Sequence, residues 1–264
     1  MNKAGQSLQP VRISPAVILM AALAIAPALF ADDARQIVQT SQDRTRANAE
    51  HYEGRLQVID SGGRMTEKRW IYDRLGSYGN SKALLRFTAP AEVKGVALLI
   101  VNHPDRASDQ WMWRPAIERD TRVALQDRRT RFFGTGFSFE DLEERDVNQY
   151  DYQLAGDEPI DGAPCWKILS TPRVAKSSQY TQIFLWIRKD NYVLAMLQGW
   201  AKQKMTRSIH YTDIANVQNI WTARRLEVFD AEKKSRTILT LEKLQYNTPM
   251  REDNFTVEAL KRLG

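Results

Sequence analysis

From His51 onward the apolar residues recur at every second position, and the period never lengthens into a helix long enough to join two parallel strands. The segments HYEGRLQVID, RMTEKRWIYD, SKALLRFTAP, VKGVALLIVN and DQWMWRPAIERDTRVA read as strands. So do YDYQLAGDE, PCWKILSTP, SQYTQIFLWIRKDNYVLAMLQGW, KMTRSIHYTDI, WTARRLEVFD and KSRTILTLEKLQY. Short turns separate them, at Ser61-Gly62-Gly63, Leu75-Gly76-Ser77, Asp190-Asn191 and Ala231 to Lys234. About a dozen strands with no crossover helix must form an antiparallel sheet in meander order. A sheet of that size twists and curls, so it either closes or leaves a concave face.

The strands also predict what that face is for. In QIFLWI, Ile183, Leu185 and Ile187 point one way while Phe184 and Trp186 point the other, so both faces are apolar. A sheet wetted on one side needs only one apolar face. The second must be covered by a helix, a partner or a ligand. Trp70, Trp111, Trp113, Phe137, Phe184, Trp186 and Trp200 are the expected lining of a hydrophobic concavity; each could equally be ordinary core.

The chain begins differently. Lys3 and Arg12 precede an uncharged apolar stretch from Ile18 to Phe30, followed by small residues at Ala26, Ala28 and Ala31. This is the pattern of a cleaved secretory signal peptide over residues 1–31, with cleavage after Ala31, or alternatively after Ala28. The apolar part is shorter than the roughly 20 residues that cross a bilayer stably. The expected product is therefore a soluble exported protein. The segment DDARQIVQTSQDRTRANAE then reads as a helix, with Ala34, Ile37 and Val38 on one face. Residues 32–264 suit a single mainly β domain.

Composition excludes more than it suggests. The formal charge is +6, with Lys3 and Arg12 inside the leader and no long basic block, so a nucleic-acid partner is not expected. Cys165 is the single cysteine, which leaves no internal disulfide and makes it a small buried residue between Pro164 and Trp166. The three histidines, His51, His103 and His210, show no metal-binding spacing; Asp105 and Asp109 near His103 would make only a weak cluster in a turn. Neither a catalytic residue nor a cofactor is expected.

One stretch resists this reading: FFGTGFSFEDLEERD, Phe132 to Asp146. It lacks the Gly-Lys-Ser/Thr of a phosphate loop and the Gly-x-Ser-x-Gly of a nucleophile elbow. Ser138 and Asp141 instead have the spacing of a capping box, with Glu140, Asp141, Glu143 and Glu144 in the first turns of a short helix where negative charge is favoured. Phe132, Phe133, Phe137 and Phe139 are expected to fold inward as a plug at one mouth of the curved sheet.

The order GTGFSFEDLEERDVNQYDYQL, PCWKILSTP, IFLWIRKDNYVLAMLQGW and TILTLEKLQYNTPMREDNFTVEALKR resembles the LolA-like family of periplasmic outer-membrane lipoprotein-sorting proteins. The resemblance covers most of residues 32–264 and ends on Phe255, Thr256 and a short helix from Val257 to Leu263. It implies an incomplete β-barrel of about eleven strands, closed on its open side by an N-terminal helix and short lid helices. It also implies a carrier or binding protein for a hydrophobic ligand, lipid or lipoprotein acyl chains. An RND-type exporter or an outer-membrane acceptor would be its partner, with transient membrane contact. A non-catalytic periplasmic scaffold that holds a membrane-protein partner is the alternative; a hydrolytic enzyme is the least favoured reading.

Overall fold

The computed structural model describes residues 26–262, with side chains from residue 33. Of the segment expected to be a signal peptide, residues 1–31, residues 1–25 lie outside the described residues. Helix α1 (Ala26–Arg44) precedes thirteen strands. The first six are β1 (Ala49–Ile59), β2 (Met65–Leu75), β3 (Lys82–Ala89), β4 (Ala97–Val101), β5 (Asp109–Arg114) and β6 (Arg119–Arg122). The other seven are β7 (Tyr150–Asp157), β8 (Cys165–Pro172), β9 (Gln182–Arg188), β10 (Leu194–Ala201), β11 (Lys204–Val217), β12 (Ile220–Asp230) and β13 (Ser235–Tyr246). A short helix α2 (Val257–Leu260) follows.

All thirteen strands form one antiparallel sheet in the order β6-β5-β4-β3-β2-β1-β13-β12-β11-β10-β9-β8-β7. The sheet has about two strands more than the expected eleven; one of them arises because the segment from Asp109 breaks at a one-turn helix, Pro115–Ile117, into β5 and β6. The sheet is open, with β6 and β7 as its edges. Register shifts at Arg69/Trp70, His51/Glu53, Leu154/Gly156, Leu194/Met196 and Gly199/Trp200 add the local bends that let so wide a sheet curl.

The strand order dictates the most important packing feature. β1 pairs with β13 in the middle of the sheet, so β1 to β6 walk out to one edge and β7 to β13 walk back from the other. The connection between β6 and β7, residues 123–149, must therefore travel from edge to edge. It crosses over the concave face: Phe132, Phe137 and Phe139 are buried in the main core with Trp70, Phe87 and Leu85. Phe87 stacks on Phe132 at 5.2 Å, and Phe139 meets Phe132 edge-on at 5.4 Å. Gly136 permits a close approach, its amide donating to Thr237 Oγ1 at 2.8 Å where a Cβ would meet Thr237 at about 3.1 Å. The phenylalanine plug stands as expected.

α1 lies against the same concave side. Ala34 and Val38 are buried and Ile37 packs partly against the core, the face that the helix period indicates. Polar contacts fasten it to the crossing segment: Arg35 Nη1 donates to Val147 O at 3.1 Å and Gln42 Nε2 to Arg145 O at 2.6 Å. Ser41 donates to Tyr192 O at 2.7 Å, and Thr45 bonds the Tyr78 hydroxyl.

Candidate functional site: a cavity between sheet and cover

Between the curved sheet, the crossing segment and α1 lies a cavity of about 380 Å³, within the range of small-molecule sites. One wall is hydrocarbon, from Ile183, Leu185 and Ile187 on β9, Leu194 and Leu197 on β10, Leu226 on β12, and Leu239 and Leu241 on β13. Val38 of α1 and Leu142 of the crossing segment close it from above. The other side is polar and rich in tyrosine, with Tyr52, Tyr72, Tyr78, Tyr150, Tyr152, Tyr211 and Tyr246 on the lining. Trp221, 40% exposed, also lines the cavity and marks where its wall reaches solvent.

Of the residues expected here, the structure brings two to the cavity. Trp70 and Phe137 line it, their rings 6.1 Å apart. The Trp70 indole lies flat over Gly54 on β1, where a Cβ would sit 2.1 Å from its Nε1. The other five belong to the opposite face of the sheet. Trp111 and Trp113 pair across the strands with Leu99 and Ala97 and are covered by Phe255 and Leu260 of the C-terminal segment. Phe184 and Trp186 pack with Cys165, Ala195 and Ile160, and Trp200 meets Phe184 edge-on at 6.1 Å. Lys167 lies over both the Phe184 and the Trp186 rings. Alternation separates Ile183, Leu185 and Ile187 from Phe184 and Trp186, but the aliphatic set faces the cavity and the aromatic set faces outward. The second apolar face is covered by the protein's own C-terminal and hairpin segments.

The acidic run departs further from expectation. The capping box exists: Ser138 N donates to Asp141 Oδ2 at 2.8 Å and Asp141 N to Ser138 Oγ at 3.2 Å. It encloses a single 3₁₀ turn, Glu140–Leu142, whose N-cap position is Phe139, instead of opening the expected short helix. Its acids point inward, each against a cation or donor. Asp141 meets Arg207 and Arg145, and Arg207 also donates to Asp230 at 2.9 Å, which Arg131 shares. Glu143 meets Arg128 and accepts from Gln110 at 2.7 Å. Glu144 accepts from Tyr78 N at 2.9 Å and sits 3.4 Å from Arg74, which also pairs with Glu50 at 2.7 Å. Glu140 accepts from Gln179 N at 2.7 Å and from the Ser178 hydroxyl.

Burial governs the protonation of this array. It pushes Glu143 up to about 7 despite Arg128, and it raises Glu140 and Glu144 as well. Burial would raise Asp141 too, but Arg207 and Arg145 hold it below the usual carboxylate range. The crossing segment is thus a polar ceiling, held to the sheet by ion pairs and to the core by phenylalanines.

The histidines each face one aspartate: His51 with Asp73 at 2.7 Å, His103 with Asp109 at 3.0 Å and His210 with Asp161 at 2.7 Å. Arg106 and Arg122 also crowd Asp109, which disfavours a cation there. Among the described residues no group of three His, Cys, Asp or Glu is placed to hold a metal ion, and no helix is long and apolar enough to cross a membrane. Cys165 is buried, with its thiol pushed up by burial.

This architecture is shared with solved proteins. An outer membrane lipoprotein-sorting protein domain from Vibrio parahaemolyticus superposes with a TM-score of 0.83 at 21% identity, over 88% of this chain and 100% of that one. A DUF1329 family protein from Desulfovibrio piger gives 0.83 at 22% identity, over 88% and 99%. A LolA superfamily protein from Nitrosomonas europaea gives 0.69 at 17% identity, over 86% and 99%. The fold is therefore LolA-like: an open, strongly curved sheet covered on its concave side. A family model described as that of an uncharacterized protein matches residues 79–262, and the chain belongs to that family. No curated protein matches the sequence.

Proposed function

We propose that the protein is a non-catalytic periplasmic carrier that shields a hydrophobic ligand, a lipid or a lipoprotein acyl chain, between membranes. The observation that carries this reading is the cavity: its hydrocarbon wall is left partly unfilled beneath a separable cover. A chain of about sixteen carbons loses roughly 0.8 kcal/mol per CH₂ on exposure to water, around 12 kcal/mol in all, so it needs such a shelter to cross an aqueous space. The cover suits uptake and release. α1 buries only the small face of Ala34, Ile37 and Val38, and its remaining ties are side-chain hydrogen bonds from Arg35, Ser41, Gln42 and Thr45, each of which water can replace. Trp70 and Phe137 would be among the contacts to the ligand.

A carrier also needs a donor and an acceptor. An RND-type exporter and an outer-membrane component fit these roles, as the LolA-like resemblance implies, and the leader-like segment at residues 1–31 supports export to the compartment between them. The reading is tested by binding of Nile red, a neutral apolar fluorophore, to the purified protein. Saturable binding is expected, and Leu226→Trp, which places an indole in the cavity, should abolish it while the far-ultraviolet circular dichroism stays unchanged. Binding that survives a filled cavity would place the probe elsewhere and remove the support for a carrier.

A further inference from the structure

On the cavity's polar side the Nε of Arg145 is buried and finds no acceptor among the described residues. This residue enters the lining from the crossing segment. Its nearest carboxylate oxygen, Asp141 Oδ1, is 3.4 Å away and already accepts the Tyr180 hydroxyl at 2.7 Å. Asp141 Oδ2 is occupied by Arg207 and by the amide and hydroxyl of Ser138. A guanidinium carries five N–H donors; among the described residues, Arg145 makes one side-chain hydrogen bond, and that one is long.

Two phenols share this lining: Tyr150 and Tyr211 face the same cavity, and burial pushes both up to about 12, so they stay protonated as hydrogen-bond donors. The acids nearby are engaged elsewhere: Glu143 by Arg128 and Gln110, Glu140 by Ser178 and the Gln179 amide. Donors without acceptors, at one end of a hydrocarbon-walled cavity, call for a ligand that brings acceptors of its own.

We propose that the ligand is a single-chain amphiphile with an anionic head, a carboxylate or a phosphate, seated on Arg145 with Tyr150 and Tyr211, its tail lying along Ile183, Leu185 and Leu226. This inference rests on the carrier reading and specifies its cargo. The tail gives affinity without selectivity, since any hydrocarbon satisfies it. The head gives selectivity, because a neutral ester accepts more weakly from the unpartnered Arg145 Nε than a carboxylate or phosphate does.

The test uses cis-parinaric acid and its methyl ester, whose fluorescence rises on transfer from water. The acid should bind the wild type about ten- to a hundredfold more tightly than the ester, as expected for one charge-assisted contact. Arg145→Met should reduce the acid to the affinity of the ester and leave the ester unchanged; Tyr211→Phe should weaken the acid alone, by about three- to tenfold. Displacement of the acid by dodecanoate or by dodecyl phosphate, with dodecanol as the neutral control, identifies the preferred head. Equal binding of acid and ester by the wild type, or a preference that survives Arg145→Met, overturns the assignment of the head while the carrier reading stands. Binding of neither probe overturns both. Should Arg145→Met fail to fold by circular dichroism, Tyr211→Phe and Arg145→Lys decide by the same acid-to-ester ratio.

Discussion

Arg207 ties the crossing segment electrostatically to the middle of the sheet, alongside the Arg74–Glu144 and Arg131–Asp230 pairs, and its removal should be severe. It rises from β11 and bridges Asp141 of the crossing segment to Asp230 of β12. The Asp141 side chain is 0% exposed and that of Arg207 only 7%, so solvent screens the pair little. Arg207→Met keeps most of the volume and leaves Asp141 as a buried carboxylate beside Arg145 alone, 3.4 Å away. Breaking a buried pair by deleting one partner costs about 3–5 kcal/mol, and because Arg145 and Arg131 remain, about 3 kcal/mol is expected. At about 2–4 °C per kcal/mol for a domain of this size, the Tm should fall by roughly 6–12 °C. Urea unfolding followed by tryptophan fluorescence gives the free energy directly. Adding Asp141→Asn should recover at least half of the loss, since a neutral amide needs no countercharge. A loss below about 1 kcal/mol, or a double variant whose losses simply add, would refute the view that this ion cluster holds the ceiling in place.

The remaining predictions concern protonation, packing and the cover. The buried Glu143 keeps its proton up to about 7, whereas its ordinary value is 4.5, so the folded state binds a proton that the unfolded chain releases. Its contribution to stability is fully present below 4.5 and is lost as pH climbs through about 7. Glu143→Gln should therefore gain on the wild type between pH 5 and 8, by up to about 3 kcal/mol in urea titrations; parallel pH profiles would contradict this. Gly54→Val drives a side chain into the Trp70 indole and should cost about 1–3 kcal/mol with a red shift of tryptophan emission; an unshifted spectrum would show that the ring does not lie over the glycine. Gln42→Ala removes a hydrogen bond to Arg145 O, and exchange of the α1 amides should quicken by about five- to tenfold while the β1 and β13 amides keep their protection. Uniform acceleration across the sheet would mean that α1 is not a separable cover.

How much of this was legible in the sequence depends on whether the information is local. The strands are local: alternation and turn residues place nearly every one, and the break at Pro115 that divides β5 from β6 is the main omission. α1 is legible from Ala34, Ile37 and Val38, and the phenylalanine plug from the density of aromatic residues. The face that each strand turns inward is not local. Alternation separates Phe184 and Trp186 from Ile183, Leu185 and Ile187, yet nothing along the chain says which set meets the cavity. Large aromatic residues are attractive candidates for a ligand pocket, and that preference points to the wrong side for Trp111, Trp113, Phe184, Trp186 and Trp200. The inward acids of FEDLEER are also hidden, because Arg74 and Arg207 come from separate parts of the fold and Arg128 meets Glu143 only once the crossing segment folds back on itself. The signal lay in the pairing of β1 with β13, which obliges residues 123–149 to cross the concave face and brings Asp141, Glu143 and Glu144 inward while Asp127 and Arg129 stay exposed. The tyrosines of the cavity are spread over β1, β2, β7, β11 and β13, and only the closing of the sheet collects them.

Native mass spectrometry of the protein isolated from cells tests the central claim most directly, because it reads the cavity's occupant without a chosen probe. The account predicts a mass increment of one single-chain lipid, released by collisional activation, found in the wild type and lost in Leu226→Trp. A wild type that flies as the bare chain, and that stays bare after incubation with lipid vesicles, would contradict it.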